Sequence, residues 1–161
     1  MGRNMAIRDI LINGDETLRK QSRKIMIFDR RLYQLLDDMA DTLESAEGLG
    51  LAAPQVGELK RVVVIDFGGD IIELVNPEIV DCDGEQQQVE GCLSIPDVYG
   101  ITRRPMNVKV RARNRFGRVR TYRGSGLLAR AFCHEIDHLN GVLFTDNVIR
   151  IIDQDEIENK K

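Results

Sequence analysis

The stretch His134-Glu135-Ile136-Asp137-His138 contains both histidines of this 161-residue chain. Residues four apart share one face of an α-helix, so both imidazoles can bind a single metal ion. Glu135 follows the first of these ligands, where its carboxylate can accept a proton from a water molecule at that metal. The pentapeptide therefore predicts a helix that carries a metal-dependent hydrolytic site.

The pattern around this motif predicts the fold class. The motif helix is expected to begin near Ser125 or Gly126 and to end at Asn140-Gly141, where glycine is a common C-terminal cap. Apolar residues recur at helical spacing in a second, longer helix from about Asp29 to Ala46. Between the helices the sequence has patterns typical of β-strands, at residues 61–67, 71–75, 107–113 and 118–123. We therefore expect an α+β fold with antiparallel β-sheets around the central helix that carries the HExxH motif, and a long N-terminal helix.

Length and composition indicate one catalytic domain over residues 1–161, with residues 1–4 as an extension and 153–161 as a polar C-terminal tail. The chain is 42% hydrophobic and 30% charged, which excludes a wholly disordered or low-complexity protein. It contains no apolar run long enough to cross a bilayer and no apolar N-terminal signal. We expect a cytoplasmic protein with no membrane partner, whose three cysteines are thiols or metal ligands.

The charge is unevenly distributed, although the net charge is only −3. Residues 103–123 contain nine basic side chains and no acidic one, whereas residues 32–102 contain two basic and 15 acidic side chains. The basic segment is either a contact surface for ribosomal RNA or a solvated hairpin whose charge is balanced by acids from elsewhere. The small net charge gives no reason to expect DNA binding.

A third metal ligand is required, because catalytic zinc-like centres generally have three protein ligands. Cys92, in the segment Glu90-Gly91-Cys92-Leu93-Ser94-Ile95-Pro96, would complete a Cys-His-His set as a thiolate. A downstream carboxylate, Glu156 or Glu158, is an alternative ligand, although both lie in the polar tail. A catalytic Cys-His pair is another interpretation of Cys92, but it would not explain Glu135 or the spacing of the histidines.

The segment Gly48-Leu49-Gly50-Leu51-Ala52-Ala53-Pro54-Gln55 directly follows the first helix. Its small residues allow another backbone to approach closely, as when a peptide substrate adds as a strand. Gln55 offers a neutral amide donor for a developing oxyanion. By itself the pattern also fits a helix exit followed by a turn.

Taken together and in this order, the three segments resemble the peptide deformylase family, whose pattern is GxGLAAxQ, EGCLSxP and HExDH. The resemblance covers about residues 5–150. It implies removal of the N-formyl group from the initiator methionine of nascent chains. It also implies one divalent metal ion per chain, Fe²⁺ in many members and Zn²⁺ or Ni²⁺ in others, held by Cys92, His134 and His138.

The resemblance also implies a role for individual residues. Glu135 would act as general base and then general acid, and the Gln55 side chain and the Leu93 backbone amide would bind the oxyanion. Residues that would contact the substrate are Gly48, Leu49, Gly50 and Leu127. An ion pair between Glu90 and Arg104 would support the cysteine loop.

Two other functions are compatible with parts of this sequence. One is a small metallopeptidase that uses the same helix with a downstream glutamate ligand. The other is a deformylase-like protein without catalysis that binds the ribosome or RNA through residues 103–123. The simultaneous presence of Cys92, Glu135 and Gln55 argues against the second of these.

Overall fold

A computed structural model describes residues 6–153 and residue 155 of the chain. Two of the α-helices that it describes are α1 (Arg30–Ala46) and α2 (Leu127–Leu139), close to the bounds expected from the sequence. Asp29 caps α1, because its side chain accepts a hydrogen bond from the backbone N–H of Leu32. Gly141, just beyond α2, has a φ of +73°, a conformation that glycine adopts without strain.

Within the described part of the chain, eight strands form two antiparallel sheets. The strands are β1 (Gly50–Ala52), β2 (Val62–Phe67), β3 (Asp70–Asp83), β4 (Gln86–Cys92), β5 (Ile95–Arg104), β6 (Asn107–Arg113), β7 (Val119–Ser125) and β8 (Val148–Ile152). The larger sheet has the order β1-β2-β3-β6-β7 and the smaller one β4-β5-β8. All pairings between these strands are antiparallel, so the predicted α+β class is confirmed.

The run from Val62 to Ile65 explains how the larger sheet is held between the helices. All four side chains are fully buried, and they alternate between the two faces of β2. Val62 and Val64 belong to the apolar cluster that contains the buried face of α1. Val63 and Ile65 belong to the cluster that contains the apolar side chains of α2. A strand covered on both faces is a continuous apolar run in the sequence, as observed here.

The smaller sheet brings a hairpin against α2. Strands β4 and β5 pair from Gln86↔Arg104 down to Cys92↔Ile95, and Leu93 and Ser94 form the turn. A third apolar cluster under this sheet contains Leu18, Ile95, Leu143 and Phe144. Since β1 and β4 are both edge strands of their sheets, each leaves one edge free of strand partners within the described chain.

The structure differs from the sequence expectations at several strands. Segment 48–55 is more than a helix exit and turn, because β1 occupies its centre and a short 3-10 helix, Ala53–Val56, ends it. Strands β4, β5 and β8 were not predicted, and β3 continues eight residues beyond the expected 71–75. The predicted extension 1–4 and the alternative ligands Glu156 and Glu158 lie outside the described residues. Among the described residues, no helix has the length and apolarity needed to cross a membrane.

Candidate metal centre and active site

The three predicted metal ligands lie together. Cys92 ends β4, and His134 and His138 lie one turn apart on α2. One ligand atom from each residue lies within 4.8 Å of the other two, and Cys92 Sγ is 3.4 Å from His138 Nε2. Both histidines are buried, at 8% and 1% exposure. This spacing suits one ion, and a thiolate with two imidazoles is a donor set for first-row transition metals.

The surroundings of the histidines fit such an ion. His134 Nδ1 lies 2.9 Å from Glu90 Oε1, so a hydrogen bond donated to that carboxylate leaves Nε2 free for a metal. Burial lowers the pKa of His138 well below its ordinary value, and the positive charge at His134 is the second cause of this shift. A neutral imidazole is the form that binds metals.

Glu90 itself is held by a buried network. Arg104 donates from Nε and Nη2 to its two carboxylate oxygens, each at 2.9 Å, and the Thr102 hydroxyl donates to Oε2. Burial by itself would raise the pKa of Glu90, but the hydrogen bonds from His134 and Arg104 hold it well below the ordinary range. Arg104 also donates to Asp137 at 2.7 Å. The predicted Glu90–Arg104 ion pair is therefore present, and it is buried rather than at the surface.

Glu135 lies beside the ligands with an unused carboxylate oxygen. Its Oε2 is 4.0 Å from His134 Nε2, and its Oε1 is buried with no hydrogen-bond partner in the described chain. Burial raises the pKa of Glu135 to about 7, although the positive charge of His134 acts to lower this pKa. A carboxylate with a pKa near neutrality is suited to accept and then return a proton.

Gln55 is oriented by both ends of its side-chain amide. Oε1 accepts a hydrogen bond from the backbone N–H of Ala52 at 2.9 Å, which assigns the NH₂ group to the other side. That group donates to Ser94 Oγ at 3.1 Å and contacts Cys92 Sγ at 3.6 Å. The donor thus lies at the metal ligands, and Ser94, fully buried, is a positioning residue that our sequence reasoning missed. This serine could have been identified from the sequence, because it lies two residues after Cys92 in the same segment.

A cleft of about 340 Å³ opens beside these residues. The expected contact residues Gly48, Leu49, Gly50 and Leu127 all line it, as do Gln55, Cys92, Leu93, His134 and Glu135. The cleft is also lined by five residues outside this expected set: Val89, Gly91, Tyr99, Arg130 and Ala131. At Gly50 a Cβ atom would lie 2.7 Å from Glu135 Oε2, so a larger residue would collide with the carboxylate.

Cys133, the neighbour of His134, takes no part in the ligand set. Its side chain is buried in the cluster between α2 and the larger sheet. Burial raises the pKa of its thiol to about 11, which disfavours the thiolate that a metal would require.

Comparison with known proteins decides the family. The sequence profile of the polypeptide deformylase family matches residues 7–154. The chain belongs to the peptide deformylase family. It is 59% identical to a peptide deformylase of Acetivibrio thermocellus over 157 residues, which covers 98% of this chain and 92% of that one. It is 56% identical to peptide deformylase 2 of Clostridium acetobutylicum, over 92% of this chain and 99% of that one.

Solved structures agree with this assignment. A crystal structure of a peptide deformylase from Legionella pneumophila superposes with a TM-score of 0.87 at 48% identity, covering 89% of this chain and 86% of that one. A peptide deformylase from Synechococcus elongatus, solved in complex with actinonin, gives a TM-score of 0.86 at 39% identity, covering 99% and 88%. The chain is therefore an enzyme of this family, whose activity is removal of the N-formyl group from nascent peptides.

Proposed function

We propose that this chain is a metal-dependent hydrolase that removes the formyl group from N-terminal formyl-methionine and releases formate. The observation that carries the proposal is the position of Glu135. Its carboxylate lies 4.0 Å from one ligand of the Cys-His-His set and lines the cleft shared with Gln55. A proton acceptor, an oxyanion donor and a metal site thus meet at one end of one cleft.

The metal would be held by Cys92, His134 and His138. When bound, a divalent ion supplies Lewis-acid chemistry, which activates water and polarises the formyl carbonyl. Thiolate and imidazole ligands suit Fe²⁺, Zn²⁺ and Ni²⁺, and we propose one Fe²⁺ per chain, as in many members of the family. The His134–Glu90 hydrogen bond, 2.9 Å long, keeps the first histidine in the tautomer that leaves Nε2 for the ion.

Residues of this chain carry out the proton transfers and stabilise the charge on the formyl oxygen. Glu135 takes one proton from the attacking water, whose oxygen bonds to the formyl carbon. Gln55 Nε2 and the Leu93 backbone N–H donate hydrogen bonds to the formyl oxygen as it gains negative charge. Glu135 then gives its proton to the departing nitrogen, the C–N bond breaks, and formate and a free amino terminus are the products.

The cleft supports binding of the peptide as an added strand. Edge strands β1 and β4 both contribute residues to the cleft, and Gly50 presents backbone without a side chain there. We propose that the substrate backbone pairs at Gly48–Gly50 and that Leu49 and Leu127 contact the methionine side chain. Leu127 is 49% exposed, so apolar surface is available for this contact.

The experiment that tests the function combines metal analysis of anaerobically prepared protein with formate release from formyl-Met-Ala-Ser. We expect one metal ion per chain, loss of activity on chelation, and recovery with Fe²⁺. Replacement of Cys92 by Ser should lower metal content or change the preferred ion, whereas replacement of both Glu156 and Glu158 by Gln should do neither. The opposite pattern would favour a metallopeptidase with a downstream ligand.

A ribosome contact through residues 103–123 stays a prediction. Four of the nine cations in this segment form ion pairs with acids: Arg103 with Glu85, Arg104 with Glu90 and Asp137, Arg111 with Glu78, and Arg115 with Glu73 and Asp37. These pairs reduce the charge available to RNA. Co-sedimentation with ribosomes, compared between wild type and Arg120→Glu, tests the contact. Since nascent chains emerge from ribosomes, we propose the cytoplasm as the place of action.

A further inference from the structure

The last residue of α2, Leu139, directly follows the metal ligand His138. The final carbonyl groups of an α-helix have no partner within the helix, so they need donors from elsewhere. The carbonyl oxygen of Leu139 accepts a hydrogen bond from the backbone N–H of Ser22 at 2.8 Å. It accepts a second one from Nη1 of Arg61 at 3.1 Å. The end of the motif helix is therefore tied to two segments outside it.

Arg61 connects this helix end to the larger sheet. It directly precedes β2, and its backbone N–H donates to the carbonyl oxygen of Arg23 at 2.9 Å. Its Nη1 also contacts the carbonyl oxygen of Ser22 at 3.4 Å, so one guanidinium bridges the two chain segments that meet there. Residues 62–65 of β2 are buried between the two helices, so the contact starts from a closely packed part of the core.

The half-buried guanidinium of Arg61 serves carbonyl groups and not an acid. Among the described residues, the hydrogen bonds of its side chain go to Leu139 and Ser22, and it forms no ion pair with a carboxylate. Burial lowers the pKa of Arg61, as expected for a cation that no acid compensates. Because the C-terminal end of a helix carries partial negative charge, a cation is stabilised there. The end of α2 therefore accounts for the position of this charge.

The two histidine ligands differ in how their rings are held. The ring of His134 is fixed through Nδ1 by the carboxylate of Glu90. His138 is 1% exposed, yet its Nδ1 has no hydrogen-bond partner in the described chain. A metal-binding imidazole is usually oriented by such a partner. Without one, the position of the His138 ring depends on packing and on its own backbone, which is bonded to Leu139.

We infer that Arg61 is a positioning residue for the metal ligand His138, which it places by holding the end of α2 against the larger sheet. This inference rests on the proposed function, because it concerns the proposed metal site. Arg61 does not line the cleft, so it acts through the helix and not on the substrate.

The first test measures binding of Co²⁺, a first-row ion that suits thiolate and imidazole ligands. Arg61→Met removes the donors but keeps much of the aliphatic side chain. We expect this variant to bind Co²⁺ about tenfold or more weakly than wild type. The visible absorption bands of the bound ion should also shift, because the imidazole of His138 changes its angle. Arg61→Lys should recover part of the affinity, since its ammonium group can still donate to a carbonyl oxygen.

The second test needs no metal. Amide hydrogen exchange in metal-free protein reports how often the end of α2 opens. In Arg61→Met we expect the amides of residues 138–142 to exchange about tenfold faster than in wild type, whereas those of residues 130–133 keep their rates. This result would show that the effect starts at the helix end that carries His138.

Val62→Ala is the matched control for lost stability. Val62 is the next residue along the chain, and its buried side chain belongs to the cluster that contains the apolar face of α1. The substitution leaves a cavity there, so it lowers the free energy of unfolding without changing a contact of α2. It should keep the wild-type absorption bands and a Co²⁺ affinity within about twofold of wild type. Urea unfolding of each variant measures the stability losses to be compared.

Wild-type Co²⁺ affinity and absorption bands in Arg61→Met would overturn the inference, as would equal losses of affinity in Arg61→Met and Val62→Ala. If the wild type bound no Co²⁺, the proposed function would fail. The exchange rates of the metal-free proteins would then still decide whether Arg61 holds the helix end, and equal rates in wild type and Arg61→Met would overturn that role.

Discussion

Glu90 Oε1 lies 2.9 Å from Nδ1 of His134, and this contact links the metal ligand to a buried ion pair. The same carboxylate accepts hydrogen bonds from Nε and Nη2 of Arg104. The orientation of the His134 imidazole therefore depends on Glu90, a residue of β4 that is not itself a metal ligand.

Replacing Glu90 by Gln tests this link. We expect metal affinity to fall about 10- to 100-fold, because the amide no longer fixes the ring of His134 with a charge-assisted hydrogen bond. We also expect lower stability, by at most about 3–5 kcal/mol, because the buried Arg104 loses one of its two carboxylate partners and keeps only Asp137. Competition with a chelator measures the first effect and urea unfolding the second. Glu78→Gln, which breaks the exposed pair with Arg111, is the control and should change stability by less than about 1 kcal/mol.

Gln55→Leu tests the oxyanion donor. The substitution keeps the side-chain size but removes the Nε2 donor that lies beside Cys92 and Ser94. We expect kcat to fall about 10²- to 10³-fold with little change in KM, because the lost hydrogen bond strengthens mainly in the transition state. The exposed Gln88→Leu serves as control. A change confined to KM would show that Gln55 only binds the substrate.

Gly50→Ala tests the close approach of β1 to Glu135. The added Cβ would lie 2.7 Å from Oε2 and 2.8 Å from Cγ of that glutamate. We expect about 1–3 kcal/mol loss of stability from overpacking. In a Glu135→Ala background the same change should cost much less, because the colliding atoms are gone. Unfolding free energies of the four proteins form a double-mutant cycle, and additive costs would contradict this explanation.

The pH dependence of stability tests the burial of Glu135. Burial raises the pKa of Glu135 to about 7, above its unfolded value near 4.3. The native state therefore binds more protons than the unfolded state between these values, and its stability falls as pH rises through this window. In metal-free protein at pH 7.5, Glu135→Gln should be more stable than wild type by roughly 2–3 kcal/mol. The difference should close toward pH 4.5, and a constant difference would contradict the shift.

The sequence predicted the helices and the ligand set better than the smaller sheet. Helical spacing located α1 and α2 closely, because each has one apolar face. Strands β4 and β5 escaped prediction because Gln86, Gln87 and Gln88 open the hairpin without an alternating apolar pattern. Strand β5 also pairs with β8, which is distant in sequence, and spacing alone cannot reveal such a pairing.

In the site, too, the arrangement within one helix was predictable from the sequence, whereas contacts between distant segments were not. Spacing within one helix predicts that His134 and His138 share a face, whereas the approach of Cys92 depends on how a hairpin packs against that helix. Contacts such as Gln55 with Ser94, 39 residues apart, arise only from the folded chain.

The most direct test of the central claim is formate release by Glu135→Gln and wild type at equal metal content. Both proteins are prepared anaerobically, loaded with Fe²⁺, and assayed in single turnovers with formyl-Met-Ala-Ser. The account predicts full metal occupancy in both and a rate about 10²- to 10⁴-fold lower in the variant, because the proton acceptor is missing. A variant that binds the metal equally and keeps more than about a tenth of the wild-type rate would contradict the assignment of Glu135 as the general base.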